Sequence, residues 1–178
     1  PTVWRLTFRS AWIACATVVL TLLLGYPLAY CYTLVGPFLR RVILLIVVAP
    51  LLTSVLVRIF AWYVILGGRR GILNSLLLGS GLIDQPLRIL NTEIAVLIGM
   101  TQVHLPFMML PLIAVLSARD RAVEDASTNL GAGPTQTFFF VTLPMSLPGI
   151  VAGSALVLAL AYTTFVIPQL LGGGNYAT

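Results

Sequence analysis

With 178 residues the chain is long enough for one domain, yet 59% of it is hydrophobic, only 8% is charged, and its mean hydropathy is +1.03. Soluble domains carry roughly a quarter charged residues, so this composition excludes one. The net charge of +5 comes from ten arginines against five acids, with no lysine and a single histidine. A phosphate-binding P-loop and Schiff-base chemistry both need a lysine and are excluded. A histidine-based metal cluster is excluded by the lone His104.

Four apolar stretches are long enough to cross a bilayer, which takes about 20 helical residues. The first, residues 11–35, is uncharged. Its Cys15 and Cys31 lie roughly 24 Å apart along a helix, too far for a disulfide. The turn "GPFLRR" (36–41) joins it to the second stretch, 42–66, broken only by Arg58. A Gly-rich connection, 67–93, follows, with a short interfacial helix expected over "ILNSLLL". The third stretch, 94–116, contains Gln102, His104, Pro106 and Pro111; the fourth, 150–172, is uncharged with Pro168 near its end. Helices satisfy every backbone group inside lipid, and the ten-residue alternation of an outer-membrane barrel is absent. The expected fold class is all-α: a polytopic transmembrane helical bundle in one domain, residues 1–178, with four spans. The first stretch is too long for a cleavable signal peptide. Pro1 at the start and "GGGNYAT" directly after a span read as the ends of a fragment that lacks further spans on both sides.

The arginines cluster at the ends of these stretches, where they anchor to headgroups rather than bind nucleic acid. Arg58 is the most costly residue inside them, and its position near the outer third of the second span suits snorkelling. His104 reads first as a polar residue hydrogen-bonded between helices and second as a ligand or proton carrier. No catalytic residue, metal site or nucleophile motif such as G-x-S-x-G emerges, so an enzyme is not expected.

The connection 117–149 contains "VEDASTNLGAGPTQTFFFVTLP", residues 123–144, polar in an otherwise greasy chain. Ser117 and Asp120 fit a capping-box start. Gly131 suits a left-handed helix end, and Pro134 suits the first position of a second helix. That second helix is expected to stop at Pro144 and Pro148, giving helix, glycine turn, helix before the last span. Phe138, Phe139 and Phe140 cannot all face one way on a period of 3.6, so at least one is expected to meet a partner or a neighbouring helix.

This loop resembles the signature of ABC importer permeases: Glu-Ala-Ala, three residues, Gly, nine residues, Ile, any residue, Leu-Pro. Here Asp125, Ala126 and Ser127 stand in the first three places, followed by Gly131, Val141, Leu143 and Pro144. The departures are a shorter acid, a hydroxyl for a methyl and Val for Ile; Glu124 is placed to cover for the shorter acid. "LGYPLAY", "PLLTSVLVRIFAW", "GSGLIDQPLRILNTE", "HLPFMMLPL" and "FVIPQLLGGG" extend the likeness, over essentially the whole chain, to the spermidine/putrescine branch.

The resemblance implies an ABC permease fold in the bacterial inner membrane, paired with a second permease. Two cytoplasmic ATPases would bind the ATP, so the chain itself needs no cofactor, and an external binding protein would deliver the substrate. The loop, about 118–144, would dock in an ATPase groove and transmit its closure. Positive charge does not fix the orientation: Arg40, Arg41, Arg119 and Arg121 lie on the loop side, and Arg5, Arg9, Arg69, Arg70 and Arg88 on the other. Candidate path residues are Trp62, Tyr63, Gln102, His104, Tyr162 and Thr163, whose rings would suit an organic cation such as putrescine or spermidine. An iron, anionic or other small solute is the alternative cargo. An ion-coupled carrier or channel would need intramembrane carboxylates, which the spans lack, and a structural subunit would not need such a loop.

Overall fold

The computed structural model describes residues 2–68, 71–81, 83, 85–164 and 166–172, which form helices and no strand. Three helices are long and apolar enough to cross a membrane. The first is α1 (Thr2–Leu34) and the second α5 (Glu93–Ala118). The third runs from Pro134 to Thr163 through α7 (Pro134–Thr137), a π-helical turn (Phe138–Thr142) and α8 (Leu143–Thr163).

The stretch expected as one span over 42–66 is bent. Helix α2 (Pro37–Val48) and a 3-10 turn (Ala49–Leu52) meet α3 (Val55–Leu66) at 102°. Pro50 is the cause on the sequence side: it has no N–H to donate and its ring crowds the preceding turn. Thr53 then turns extended (φ −100°, ψ 148°) and its hydroxyl donates to Pro50 O at 2.9 Å. The interfacial helix of the next connection is α4 (Ile72–Gly79). Buried Asn74 closes this connection, donating to Gly68 O (2.7 Å) and Leu87 O (2.8 Å) and accepting from Leu87 N–H (2.9 Å).

The expected fourth span over 150–172 is displaced. The continuous helix begins at Pro134, and Pro144 and Pro148 do not stop it. In the π turn Leu143 N–H reaches back five residues to Phe138 O, which widens the helix just before Pro144 and makes room for its ring. At the other end the helix breaks at Thr164 (φ −78°, ψ 110°), and α9 (Val166–Leu171) turns back so that Ile167 and Leu171 are buried.

Helix α5 is the centre, packed by α1, α8 and α9, and thirteen of its residues are buried. Met100, Met108, Met109 and Leu112 are fully enclosed. Close approach of α8 depends on Gly153 and Gly149. A Cβ on Gly153 would lie 2.8 Å from Met108 Sδ and 3.1 Å from Met108 O; one on Gly149 would lie 3.1 Å from Pro111 O. Small residues four apart are how helices pack tightly in lipid, where hydrophobicity does not drive helix against helix. Several polar groups in the core are satisfied internally, as lipid favours. Thr17 and Thr21 donate to the carbonyls of Ile13 and Thr17, and Tyr26 Oη meets Ser146 Oγ at 3.0 Å between α1 and α8. Large apolar side chains such as Val19, Leu23, Leu45, Val57 and Val151 face outward, as expected of a lipid-facing surface.

Candidate functional site

The polar connection after α5 is a hydrogen-bonded projection made of α6 and the start of the long helix at Pro134. It begins three residues later than expected: Ser117 lies in the last turn of α5, and the cap of α6 (Arg121–Asn129) is Asp120, whose carboxylate accepts from Ala122 N–H at 2.9 Å. Ser117 is still inside a hydrogen-bonded helix, whereas Asp120 has the extended backbone a cap needs (φ −77°, ψ 115°).

Helix α6 ends in a Schellman motif. Gly131 N–H donates to Thr128 O (2.9 Å) and Ala132 N–H to Ser127 O (3.1 Å), with Gly131 at φ +88°. Gly133 and Pro134 then start the next helix, with Gly133 N–H bonded to Gln136 Oε1 at 3.2 Å. Ser127 Oγ and Thr137 Oγ1, 3.1 Å apart, tie the two short helices together. Between them lies a cleft of about 270 Å³ lined in part by Glu124, Asp125, Thr128, Pro134 and Thr137.

The two acids have different positions. Glu124 turns inward, accepting from Thr142 Oγ1 at 2.6 Å and sitting 3.4 Å from Arg119 Nε. Asp125 is exposed, as are Ala126, Gly131 and Pro144, while Ser127, Val141 and Leu143 are half-buried. Glu124 thus lines the cleft beside Asp125 while its carboxylate is held by Thr142 and Arg119.

The phenylalanines divide as the helical period requires. Phe138 packs edge-on against Tyr26 (5.9 Å) and Tyr30 (5.4 Å), whereas Phe139 and Phe140 are 56% and 80% exposed. Leu130, beside the glycine bend, is 89% exposed. It was not among the residues expected from sequence, although an apolar residue next to a helix-ending glycine at a polar tip is a legible signal for a contact surface. Arg119 and Thr142, which hold Glu124, were likewise not anticipated.

The six path candidates do not form one site. Trp62 and Gln102 share a groove of about 430 Å³ with Leu20, Leu24, Leu97 and Leu105. Gln102 Oε1 and Thr101 Oγ1 have no hydrogen-bond partner there. His104 is buried: its Nδ1 donates to Met100 O (2.7 Å) and its Nε2 lies 3.4 Å from Thr164 Oγ1. The closer of these bonds lies within α5, and only the 3.4 Å contact reaches the end of α8. Tyr63 and Tyr162 are about half exposed on the outside, and the Thr163 hydroxyl returns to its own helix at Ala159 O and Leu160 O. Arg58, read for snorkelling to the headgroups or for a structural pair, is half-buried. It sits just past the 102° bend with Nε and Nη1 enclosed and unpartnered, and Nη2 is 3.5 Å from Thr53 O. Of the loop-opposite arginines, Arg69 and Arg70 lie outside the described residues. Among the described residues no three metal-ligating side chains converge.

Three apolar helices, a bent fourth and a structured polar projection define a multi-pass helical membrane protein. Residues 18–177 match the family model described as binding-protein-dependent transport system inner membrane component, and the chain belongs to that family. It is accordingly a multi-pass inner-membrane component of the transport-permease type.

Two relatives are spermidine/putrescine transport system permease proteins PotB. The protein of Haemophilus influenzae is 41% identical over 171 residues, 96% of this chain and 59% of that protein. The protein of Escherichia coli K12 is 35% identical over 175 residues, 98% of this chain and 63% of that protein. A third, the inner membrane ABC transporter permease protein YdcU of Escherichia coli K12, is 30% identical over 190 residues, 99% of this chain and 60% of that protein. The chain thus spans about three fifths of the length of these relatives.

Proposed function

We propose that the chain is part of the permease subunit of an ATP-driven importer for a small organic cation of the polyamine type. It works with a second permease, a pair of cytoplasmic ATPases that carry all nucleotide chemistry, and an external binding protein. The observation that carries this reading is the projection itself. Helix α6 is joined at a Schellman glycine to the start of the long Pro134–Thr163 helix and tied to it by Ser127–Thr137, with Asp125 and Leu130 exposed on its surface. A mere connection between spans needs none of this. A lever does, because a flexible loop would absorb a partner's movement instead of passing it to α5 and α8. Glu124 and Arg119 join the lever to the bundle, so force on α6 reaches the core helices.

The polyamine substrate rests on the likeness to the two spermidine/putrescine permease proteins PotB. A small anion is the second reading, favoured by the enclosed, unpartnered guanidinium nitrogens of Arg58. Uptake of labelled putrescine and spermidine by cells carrying the complete transporter tests the proposal. Saturable uptake, abolished when this subunit is deleted, supports it. Failure of both polyamines to enter or compete, together with entry of an anion, would favour the second reading.

A further inference from the structure

On the same side of the bundle as the projection, α1 and α5 both end at a polar cavity. It measures about 210 Å³ and is lined by Thr33, Arg40, Leu116, Ser117 and Arg119. Two arginines from different elements meet here, each fixed in place.

Arg40 caps α1: its Nε donates to Tyr32 O (3.1 Å) and its Nη2 to Thr33 O (2.8 Å), with the guanidinium 5.7 Å from the Tyr32 ring centre. Arg119 sits 5.3 Å from the Tyr30 ring centre, and its side chain is only 4% exposed. Its Nη2 is 3.4 Å from Thr33 Oγ1. Its Nε is 3.4 Å from Glu124 Oε1, close enough for charge attraction but not aligned as a hydrogen bond, and its Nη1 has no partner.

A guanidinium this buried ordinarily has acceptors for its N–H groups, because leaving them unmet in a low-dielectric setting is costly. Two positive charges face the cavity against the single Glu124 carboxylate, and a rigid guanidinium fork matches phosphate oxygens. The cavity also lies where two membrane helices leave their apolar stretches, the level of lipid headgroups.

We propose that this cavity binds a phosphate group, supplied by an anionic lipid headgroup or by free phosphate, against Arg119 and Arg40. Its occupant bridges the end of α1 to the last turn of α5, immediately before the cap of α6. The angle at which the projection leaves the bundle is then braced by what is bound there. This site is separate from the cleft between α6 and α7 and stands independently of the substrate.

The test is a binding titration of the full chain, purified in a neutral detergent and followed by native mass spectrometry. The probes are phosphatidylglycerol, phosphatidylcholine and inorganic phosphate. Saturable retention of phosphatidylglycerol, at least tenfold tighter than phosphatidylcholine, is expected. Arg119→Gln and Arg40→Gln should each weaken it at least tenfold. Arg41→Gln, on the same segment but exposed and outside the cavity, should leave it unchanged.

Ser117→Trp should block binding by filling the space with both arginines intact, which separates loss of the site from loss of the fold. If Arg119→Gln does not fold, Arg119→Lys keeps the charge without the fork and should bind with intermediate strength. Competition by millimolar inorganic phosphate would assign the site to the phosphate group from either source, and lipid binding without such competition would assign it to the headgroup. The proposal is overturned if no probe binds saturably, if Ser117→Trp binds as the parent does, or if Arg41→Gln loses as much as Arg119→Gln.

Discussion

Replacing Gly131 separates the backbone requirement of the projection from its surface chemistry. Gly131 has φ +88°, and a Cβ built on it meets no atom within 4 Å. Within the chain, then, a substitution here is opposed by backbone conformation and not by crowding. For an L residue the left-handed region costs roughly 1–2 kcal/mol, most for a β-branched side chain and least for Asn. Gly131→Val should therefore reduce the population of the bent loop roughly 5- to 30-fold, with Gly131→Ala intermediate and Gly131→Asn mildest. Gly131 itself lies outside both buried clusters of the core, so membrane levels of the subunit should not change. The assay is co-purification of the ATPase subunit together with substrate-stimulated ATP hydrolysis, measured across the series at matched permease levels. Losses ordered Val > Ala > Asn are expected. Equal activity of Val and Gly would show that the bend is dispensable. Equal loss by Asn and Val would show that bulk at the partner's surface, not the left-handed turn, is what matters.

Glu124→Ala should lower the thermal stability of the detergent-solubilised protein more than Glu124→Gln. Alanine leaves both the buried Arg119 guanidinium and the Thr142 hydroxyl without their partner, whereas Gln still accepts from Thr142; the expected loss is about 3 kcal/mol for Ala. Gly153→Ala should cost about 1–3 kcal/mol in the same measurement, because Met108 O, 3.1 Å from the new Cβ, is backbone and does not swing aside; Gly79→Ala, with open space around it, should be near neutral. Asn74→Leu removes three hydrogen bonds and leaves the Gly68 and Leu87 carbonyls and the Leu87 N–H without their partner, so limited proteolysis should cut the 67–93 connection faster while leaving α5 and α8 intact.

Apolar run length marked out α1 and α5 because bilayer thickness is a hard constraint on composition. Both end within a few residues of the stretches 11–35 and 94–116, although α1 begins earlier, at Thr2. What hydropathy does not resolve is a direction change inside an apolar run. Pro50 in "APLLTS" was visible, but the run looks equally greasy on both sides of the bend, so the 102° break between α2 and α3 left no trace in composition. Pro144 and Pro148 misled in the opposite sense. Both signal helix ends, and the π turn that accommodates Pro144 depends on backbone register, which no single residue announces. The "GIVAG" at 149–153 places two glycines four apart, the sequence signal of the close α5–α8 contact.

In the candidate loop, Gly131 and Pro134 gave the turn because each has a backbone preference of its own. Which of Glu124 and Asp125 faces outward depends on Arg119 and Thr142, which approach through the fold rather than through sequence spacing. The path residues were the least legible. Gln102 and Tyr162 are ordinary polar and aromatic residues within spans, and only packing separates a groove-lining Gln102 from a Tyr162 on the outside.

The central claim is that the projection reaches a cytoplasmic ATPase, and the near-even distribution of arginines leaves its side of the membrane to experiment. Thr135 is exposed on the first turn of α7, so a single cysteine there, in a background with Cys15 and Cys31 replaced by alanine, reports the side directly. Labelling with a membrane-impermeant maleimide should be absent in intact cells, appear after permeabilisation of the inner membrane, and be slowed when the ATPase subunit is co-expressed. Labelling from outside intact cells would place the projection where no ATPase could reach it and would contradict the account.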